Sequence, residues 1–170
     1  MDFLDAIKDR IPDYAKDIRL NLDAVVARSS LPPEDALGVA LAAAFASKSA
    51  PLIEAFRANT PAAEANAALT AAALMGMNNV WYPFIEMAAD EELKSVRPEL
   101  RMNAYATSGG VEKKKFEAYA LAASIVGKCH FCVQSHYALL KKEGYTVQQL
   151  RDIGRIAAVV NAAAQVLAAG

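Results

Sequence analysis

The stretch FEAYALAASIVGKCHFCVQSHYALLKK, residues 116–142, predicts two helices joined by a sharp break. Alanine-rich, largely apolar sequence favours helix on both sides, and Gly127 with Lys128 interrupts the pattern between them. Cys129 then falls in or near the first turn of the second helix. Unpaired backbone N–H groups and the positive end of the helix dipole stabilise a thiolate there, which lowers its pKa.

The spacing of the residues around Cys129 predicts a redox site. Cys132 follows three residues later, within reach of a disulfide, so the pair is able to cycle between dithiol and disulfide. His136 lies one helical turn beyond Cys132 and is placed to accept its proton, directly or through a water. The break at Gly127 allows the chain to fold back and bring the Glu117 carboxylate beside these groups. The sequence thus predicts a relay from thiol to histidine to carboxylate.

Other interpretations of these residues stay open at this point. The Cys-x-x-Cys pair is compatible with a coincidence of small buried residues, and Glu117 with a solvated helix position. Cys129, His130, Cys132 and His136 are also four zinc-type ligands, although His130 is expected to point away from the Cys132–His136 face. His130 is equally compatible with tuning the redox potential of the cysteines and with a simple exposed side chain.

The rest of the chain favours helix as well. Of its 170 residues, 55% are hydrophobic, alanine is abundant, and no segment reads as a strand. A chain of this length buries roughly 70% of the surface that its unfolded form exposes, so it needs no disulfide to fold. We therefore predict an all-α, compact multi-helix fold with residues 1–170 in a single domain.

Start and stop residues predict where several helices lie. Thr146 and Gln149 have the spacing of a capping box, and Gly144 is a typical stop for the preceding helix. Thr60 is expected to cap another helix, with Pro61 at its first position. Helices are predicted over residues 33–48, 61–77, 111–126, 129–142 and 147–168.

Two further features interrupt or repeat this pattern. The stretch MNNVWYPF, residues 77–84, combines paired asparagines, aromatic residues and a proline, and predicts a bend or an aromatic contact surface. LAAAFASK at residues 41–48 resembles LAASIVGK at 121–128. This similarity is compatible with two degenerate helical half-repeats, of which only the second carries cysteines, and also with chance in alanine-rich sequence.

Charge and hydropathy exclude several classes of partner. The net charge of -1 provides no basic field for nucleic acid or an anionic membrane. The first 23 residues mix charged and apolar positions, unlike a signal peptide. The longest weakly polar run, residues 37–46, is shorter than the roughly 18 residues of a membrane span. We expect a cytoplasmic protein, and in a reducing compartment two cysteines three residues apart are typical of catalysis or metal binding.

The arrangement of Glu117, Cys129, Cys132 and His136 resembles the signature of the alkyl hydroperoxide reductase D family, within the carboxymuconolactone decarboxylase-like fold. The likeness extends over nearly the whole chain. It includes PDYAKDIRLNL (12–22), ALMGMNNVWYPF (73–84) and RPELRMNAYATSGGVEKKKFEAYALAASIVGKC (97–129).

The resemblance implies an all-helical homo-oligomer, usually a trimer or larger, with no bound metal, flavin or other cofactor. It implies an antioxidant peroxidase that reduces organic hydroperoxides with electrons from dihydrolipoyl groups, carried by a lipoyl-bearing protein. It also implies that the protein reduces the active-site disulfide of a partner peroxiredoxin of the alkyl hydroperoxide reductase C type. A decarboxylase of the same fold is disfavoured because it needs no paired thiol, and a non-enzymatic redox adaptor is the remaining alternative.

Residue by residue, Cys132 resembles the sulfur that becomes a sulfenic acid, and Cys129 resembles its resolving partner. Glu117 and His136 match the proton relay. Some relatives have a histidine directly before the second cysteine, where this chain has Phe131, so a relay step at that position is not carried over. We also expect Cys129 to be the more exposed sulfur and the one that exchanges with a bulky partner.

Overall fold

The computed structural model describes residues 1–170, and every regular element in it is a helix. The all-α prediction is therefore confirmed. Short 3₁₀ turns cover Asp2–Leu4, Asp13–Ala15 and Ser108–Gly110. The α-helices are α1 (Asp5–Lys8), α2 (Lys16–Ala27), α3 (Pro33–Ala46), α4 (Ala50–Asn59), α5 (Ala62–Ala88), α6 (Glu91–Ser95), α7 (Asn103–Ala106), α8 (Lys113–Gly127), α9 (His130–Lys142) and α10 (Val147–Ala169).

The core lies between the long helices α3, α5, α8 and α10. Helix α3 contacts α5, α8 and α10, and α8 also contacts α5, α9 and α10. Small residues make this close packing possible. A Cβ atom at Gly38 would lie 2.4 Å from the Tyr119 ring, so only glycine fits where α3 crosses α8. The buried apolar side chains form one continuous cluster, which holds α8 rigidly at the centre of the molecule.

The predicted ends of the C-terminal helices are confirmed. Thr146 and Gln149 form the capping box of α10 in both directions. Gly144 has a φ of 93°, the left-handed conformation that ends α9. The predicted bounds of α8, α9 and α10 agree with the structure to within two residues.

Two predictions around α5 are wrong. The helix does not end near Met77 but continues through MNNVWYPF and Pro83 to Ala88. Proline removes one backbone donor, yet α5 is supported along this part by packing on α8 and α9 and by the hydrogen bond from Asn79 to the Ala123 carbonyl. Thr60 does not cap α5, because its hydroxyl donates to the Phe56 carbonyl at the end of α4.

The proposed half-repeat is supported by two matching helix junctions. Between α3 and α4, Lys48 is left-handed with a φ of 59°, and Ser49 precedes the next helix. Between α8 and α9, Lys128 has a φ of 55°, and Cys129 is at the equivalent position. The backbone N–H of Ser49 donates to the fifth carbonyl back, as that of Cys129 does. The similarity of the two sequence motifs is thus accompanied by the same backbone turn.

Helix α10 is long and apolar enough to cross a membrane, by length and composition alone. It packs against α2, α3 and α8. Its inward side chains, which include Leu150, Ile153, Ile156 and Val160, are buried in the protein core. These contacts place one side of α10 in the protein core.

Candidate redox active site

The α8–α9 junction places Cys129 at the N-cap of α9, as the sequence predicts. Its Sγ accepts the Cys132 backbone N–H at 3.2 Å. Helix α5 approaches this junction closely, and a Cβ atom at Gly127 would lie 2.1 Å from the Asn79 amide nitrogen. Glycine at the end of α8 therefore allows the cysteine pair to lie directly against α5.

Cys129 and Cys132 are joined by a disulfide, with their Cα atoms 5.3 Å apart. Cys129 is fully buried, whereas Cys132 is 3% exposed and lines a pocket. The expectation that Cys129 is the more exposed sulfur is wrong. At the N-cap it lies beneath α5, with its Sγ 4.0 Å from the Asn78 carbonyl oxygen, while Cys132 lies one turn further along α9 and borders the pocket.

Glu117 and His136 form a buried pair behind the cysteines. His136 Nδ1 lies 2.5 Å from Glu117 Oε2, although the two residues are 19 apart in sequence. The structure therefore brings together the two groups predicted for the relay, because the break after Gly127 folds α9 back along α8. The Tyr105 hydroxyl donates to the other carboxylate oxygen of Glu117. Each oxygen of this carboxylate thus has a partner.

These contacts determine the charge of the pair. Burial by itself raises the pKa of the Glu117 carboxyl, but the hydrogen bonds to His136 and Tyr105 outweigh it and hold the pKa below its usual value. Burial, together with the neighbouring carboxylate, raises the pKa of the Tyr105 hydroxyl, which stays protonated. Glu117 is therefore a charged group that fixes the His136 ring through Nδ1.

The second nitrogen of His136 faces away from Glu117. Nε2 lies 3.2 Å from the Met75 sulfur, and no hydrogen bond joins His136 directly to Cys129 or Cys132. His136 and Cys132 line the same pocket, however. A proton that passes between them therefore crosses the pocket, through a water or through the bound substrate.

The pocket beside Cys132 has a volume of about 330 Å³ and walls that are mostly apolar. This is the size range of sites for small organic molecules. Phe131 stacks on Tyr82 with ring centroids 4.2 Å apart, and both rings form part of the wall. The pocket is lined by Asn78, Tyr82, Met102, Tyr105, Ala106, Phe131, Cys132, Ser135 and His136.

His130 lies outside this pocket. Its side chain is 74% exposed, and its Nδ1 is 3.2 Å from Glu86 Oε1. It thus points away from the Cys132–His136 face, as predicted, and no group of three or more His, Cys, Asp or Glu side chains is arranged to hold a metal ion. Phe131, directly before Cys132, supplies an apolar ring to the pocket wall.

Three residues at the site were not identified from the sequence. Asn78 and Met75 come from α5, and Tyr105 comes from the short helix α7. The MNNVWYPF stretch marks the region of Asn78, but as an interruption and not as a site. Met75 and Tyr105 have no regular sequence spacing from the cysteines that would have indicated a place in the site. Both lie on other helices and reach the site only through the tertiary fold.

A buried cysteine pair at a helix N-cap, backed by a glutamate–histidine pair in an all-helical fold, defines a helical thiol–disulfide redox protein. Residues 91–169 match the carboxymuconolactone decarboxylase family. The chain is 41% identical over 168 residues to the alkyl hydroperoxide reductase AhpD of Rhodospirillum centenum, covering 96% of this chain and 90% of the relative.

Two further relatives carry the same description. The protein of Maricaulis maris is 41% identical over 170 residues, covering 98% of each chain. The protein of Coxiella burnetii is 39% identical over 170 residues, covering 96% of each. The chain belongs to the alkyl hydroperoxide reductase AhpD family, within the carboxymuconolactone decarboxylase family.

Proposed function

We propose that the protein is an antioxidant thiol peroxidase that reduces organic hydroperoxides through the Cys129–Cys132 pair. The observation that carries the proposal is the shared pocket, in which the cysteine that lines the pocket lies beside a histidine held by a buried carboxylate. The mostly apolar wall favours an alkyl or aryl hydroperoxide. The names of the relatives, alkyl hydroperoxide reductases, support the same activity.

In the peroxidase step, the Cys132 thiol passes its proton to His136 across the pocket, and the resulting thiolate attacks the terminal oxygen of the hydroperoxide. The O–O bond breaks, its electron pair passes to the alkyl-bearing oxygen, and this oxygen takes a proton from His136 to leave as an alcohol. Cys132 is oxidised to a sulfenic acid. The Cys129 thiol then attacks that sulfur, a disulfide forms, and the hydroxyl leaves as water. Glu117 keeps the His136 ring oriented throughout.

In the reductive step, a dihydrolipoyl dithiol attacks the disulfide. We place this attack on Cys132, because its sulfur reaches the pocket while Cys129 is fully buried. Cys129 leaves as a thiolate, stabilised by the Cys132 backbone N–H at the N-terminus of α9. The second lipoyl thiol then displaces Cys132 from the mixed disulfide, which returns the dithiol and releases a lipoyl disulfide. The assignment reverses the expectation that Cys129 exchanges with the partner.

The proposed partners are a lipoyl-bearing protein that supplies electrons and a peroxiredoxin that receives them. Both would reach Cys132 at the same pocket, past the half-exposed Phe131 ring. In the transfer to the peroxiredoxin, the Cys132 thiolate attacks the partner disulfide and Cys129 resolves the mixed disulfide. No cofactor needs to be bound in this scheme. A cytoplasmic location is proposed with it, because a dithiol cycle requires a reducing compartment.

A homo-oligomer is also proposed, and the exposed apolar side chains support it. Val80 and Met87 on α5 are 70% and 78% exposed, and Phe84 between them is half-exposed. Leu100, in the segment after α6, lines a groove together with Val80 and Phe84 and adds to the same apolar surface. An apolar patch of this kind marks a surface that another protein chain covers.

Steady-state turnover tests the proposed function. We expect the protein to consume cumene hydroperoxide with dihydrolipoamide as the only reductant, and to stop when either cysteine is replaced by serine. Reduction of a peroxiredoxin disulfide without any peroxide turnover would instead show a redox adaptor. Thiol-independent release of carbon dioxide from a carboxylated lactone would show a decarboxylase.

A further inference from the structure

Two neighbouring asparagines on α5 have different surroundings. The Asn79 amide donates to the Ala123 carbonyl at 3.1 Å and fills the space beside Gly127, so it joins α5 to α8. Asn78 is 8% exposed, lines the pocket, and its side-chain amide makes no hydrogen bond to any other residue. The residue is mostly buried, but its amide atoms are not sealed from solvent, so they stay accessible from the pocket. The Asn78 amide is therefore free to bind a ligand in the pocket.

The main chain of Asn78 lies beside the sulfurs. Its carbonyl oxygen lies 3.8 Å from Cys132 Sγ and 4.0 Å from Cys129 Sγ. In the disulfide neither sulfur carries a hydrogen, but in the dithiol either S–H is able to donate to this oxygen. Because Asn78 and Cys132 line the same pocket, a molecule that reacts with Cys132 also borders Asn78.

The other polar groups of the pocket are already engaged or hydrated. The Tyr105 hydroxyl donates to Glu117, and His136 contacts the same carboxylate through Nδ1. Ser135 lies on the exposed side of α9, where water competes for its hydroxyl. Asn78 is thus a mostly buried residue of the pocket whose side-chain amide has no protein partner.

We infer that the Asn78 amide binds the O–O group of the hydroperoxide, an inference that rests on the proposed peroxidase function. The amide N–H donates to the alkyl-bearing oxygen, and the amide carbonyl accepts the hydrogen of the terminal hydroxyl. When Cys132 attacks the terminal oxygen, the electron pair of the breaking O–O bond moves onto the alkyl-bearing oxygen. The amide hydrogen bond strengthens as this charge develops, until His136 delivers the proton.

Single-turnover kinetics test the inference. We compare the full-length reduced wild type with Asn78→Leu, which has a similar volume and no amide, and with Asn78→Ser, which keeps a donor. Asn66→Leu is the matched control, since Asn66 is an exposed asparagine on the same helix, away from the pocket. Disulfide formation with cumene hydroperoxide is expected to slow about 10²-fold in Asn78→Leu, less in Asn78→Ser, and not in Asn66→Leu.

Two reference reactions separate peroxide binding from other effects. Alkylation of Cys132 by iodoacetamide, measured in a Cys129→Ser background, and reduction of the disulfide by dihydrolipoamide should keep their rates in Asn78→Leu. Both reactions lack a departing peroxide oxygen. A variant that slows all three reactions equally overturns the inference, because Asn78 then supports the fold or the thiol and not the peroxide.

Failure of the proposed function would look different. A wild-type dithiol that does not react with cumene hydroperoxide overturns the peroxidase activity, and this inference with it. A wild type that reacts, beside an Asn78→Leu protein that reacts at the same rate, overturns the inference alone.

Discussion

At the scale of single residues, the Glu117 carboxylate is the group on which the site depends. His136 contacts one oxygen and Tyr105 donates to the other, and the carboxylate is fully buried. Removing one donor leaves one oxygen of the buried carboxylate without a hydrogen bond. Replacing the carboxylate itself leaves the ring of His136 without its orienting partner. The consequences for turnover should therefore differ between the three residues.

Variants of the relay give the first prediction. Glu117→Gln and His136→Ala should lower kcat/KM for the hydroperoxide roughly 10²-fold or more, as loss of acid–base help commonly does. Tyr105→Phe should cost less, since it removes only one donor to the carboxylate. Steady-state kinetics measure the rates, and circular dichroism checks that each variant is folded. Near-normal turnover in both Glu117→Gln and His136→Ala would show that the pair is structural only.

The pKa of Glu117 gives this pair a definite dependence on pH. The folded pKa is lowered, so the stabilisation from the charged carboxylate is present above the pKa of the unfolded chain. It is lost as the pH falls through the folded value. If the free energy of unfolding of the wild type falls no faster on acidification than that of Glu117→Gln, the lowered pKa of Glu117 is contradicted.

The two cysteines give the second prediction. Cys132 reaches the pocket and Cys129 does not, so the peroxide should oxidise Cys132. In Cys129→Ser, one equivalent of peroxide should produce a sulfenic acid on Cys132 that dimedone labels, while Cys132→Ser should label little. Mass spectrometry locates the adduct. An adduct chiefly on Cys129 in Cys132→Ser, with none on Cys132 in the reciprocal variant, would reverse the assignment.

Spacing within one helix predicted part of this site, and the fold supplied the rest. Cys129 lies at the N-cap of α9, and Cys132 and His136 lie on this helix, so local spacing alone places them together. Glu117 could be added because the glycine break suggests a fold-back. Asn78 and Tyr105 belong to helices whose approach depends on packing, and no local pattern reports such contacts.

At the scale of secondary-structure elements, hydrogen bonds to Asp152 connect α10 to the loop before α3. Its Oδ2 accepts the backbone N–H and the hydroxyl of Ser30, both at 2.8 Å, and its Oδ1 accepts from Arg151 and Arg155. Burial opposes the charge, but these hydrogen bonds outweigh it and lower the pKa of Asp152 to about 2. The charged side chain therefore stabilises the loop–helix contact.

The third prediction follows from that pKa. Against the ordinary value of 3.8, the shift corresponds to about 2 kcal/mol of stability, which is present above pH 4 and is lost as the pH falls towards 2. Asp152→Asn should therefore be less stable than the wild type by about this amount at pH 6, with the difference closing near pH 2. Urea unfolding at both pH values measures it. A difference that is independent of pH would show that the charge is not what holds Ser30.

Helices with strong local signals were predicted well, and α5 was not. The capping box of Thr146 and the glycine stop at Gly144 act within a few residues, so they can be identified in the sequence. Pro83 is a local signal as well, but it is outweighed by contacts of α5 with α8 and α9 that are distant in sequence. Tertiary packing routinely overrides such a preference.

At the scale of the whole molecule, the outer face of α5 leaves apolar side chains exposed. Val80, Phe84 and Met87 lie on this face, and residues 89–101 after it are almost all exposed. The segment leads into Met102 and Tyr105, which line the pocket or contact the relay. Covering this face with a second copy would therefore support the chain that carries Tyr105.

The fourth prediction concerns this face. Light scattering at micromolar concentration should give a mass well above the 18.1 kDa of one chain, and Val80→Asp should shift it towards the monomer. Val147→Asp is the matched control, because Val147 is similarly exposed at the start of α10, away from this face. A wild-type monomer, or equal masses for the two variants, would contradict this assignment of the interface.

The two matching helix junctions bear on how chemistry arises in such a fold. The first-half positions that correspond to Cys132 and His136 are occupied by Leu52 and Phe56, both fully buried. Apolar side chains in the first half of the chain thus occupy the positions that redox groups occupy in the second half. If a helix junction of this kind is duplicated, one copy can acquire reactive residues while the other copy keeps the apolar residues that maintain the core. Ser49 and Leu52 occupy the positions that correspond to Cys129 and Cys132, so directed evolution could introduce a second, independent disulfide at these two positions.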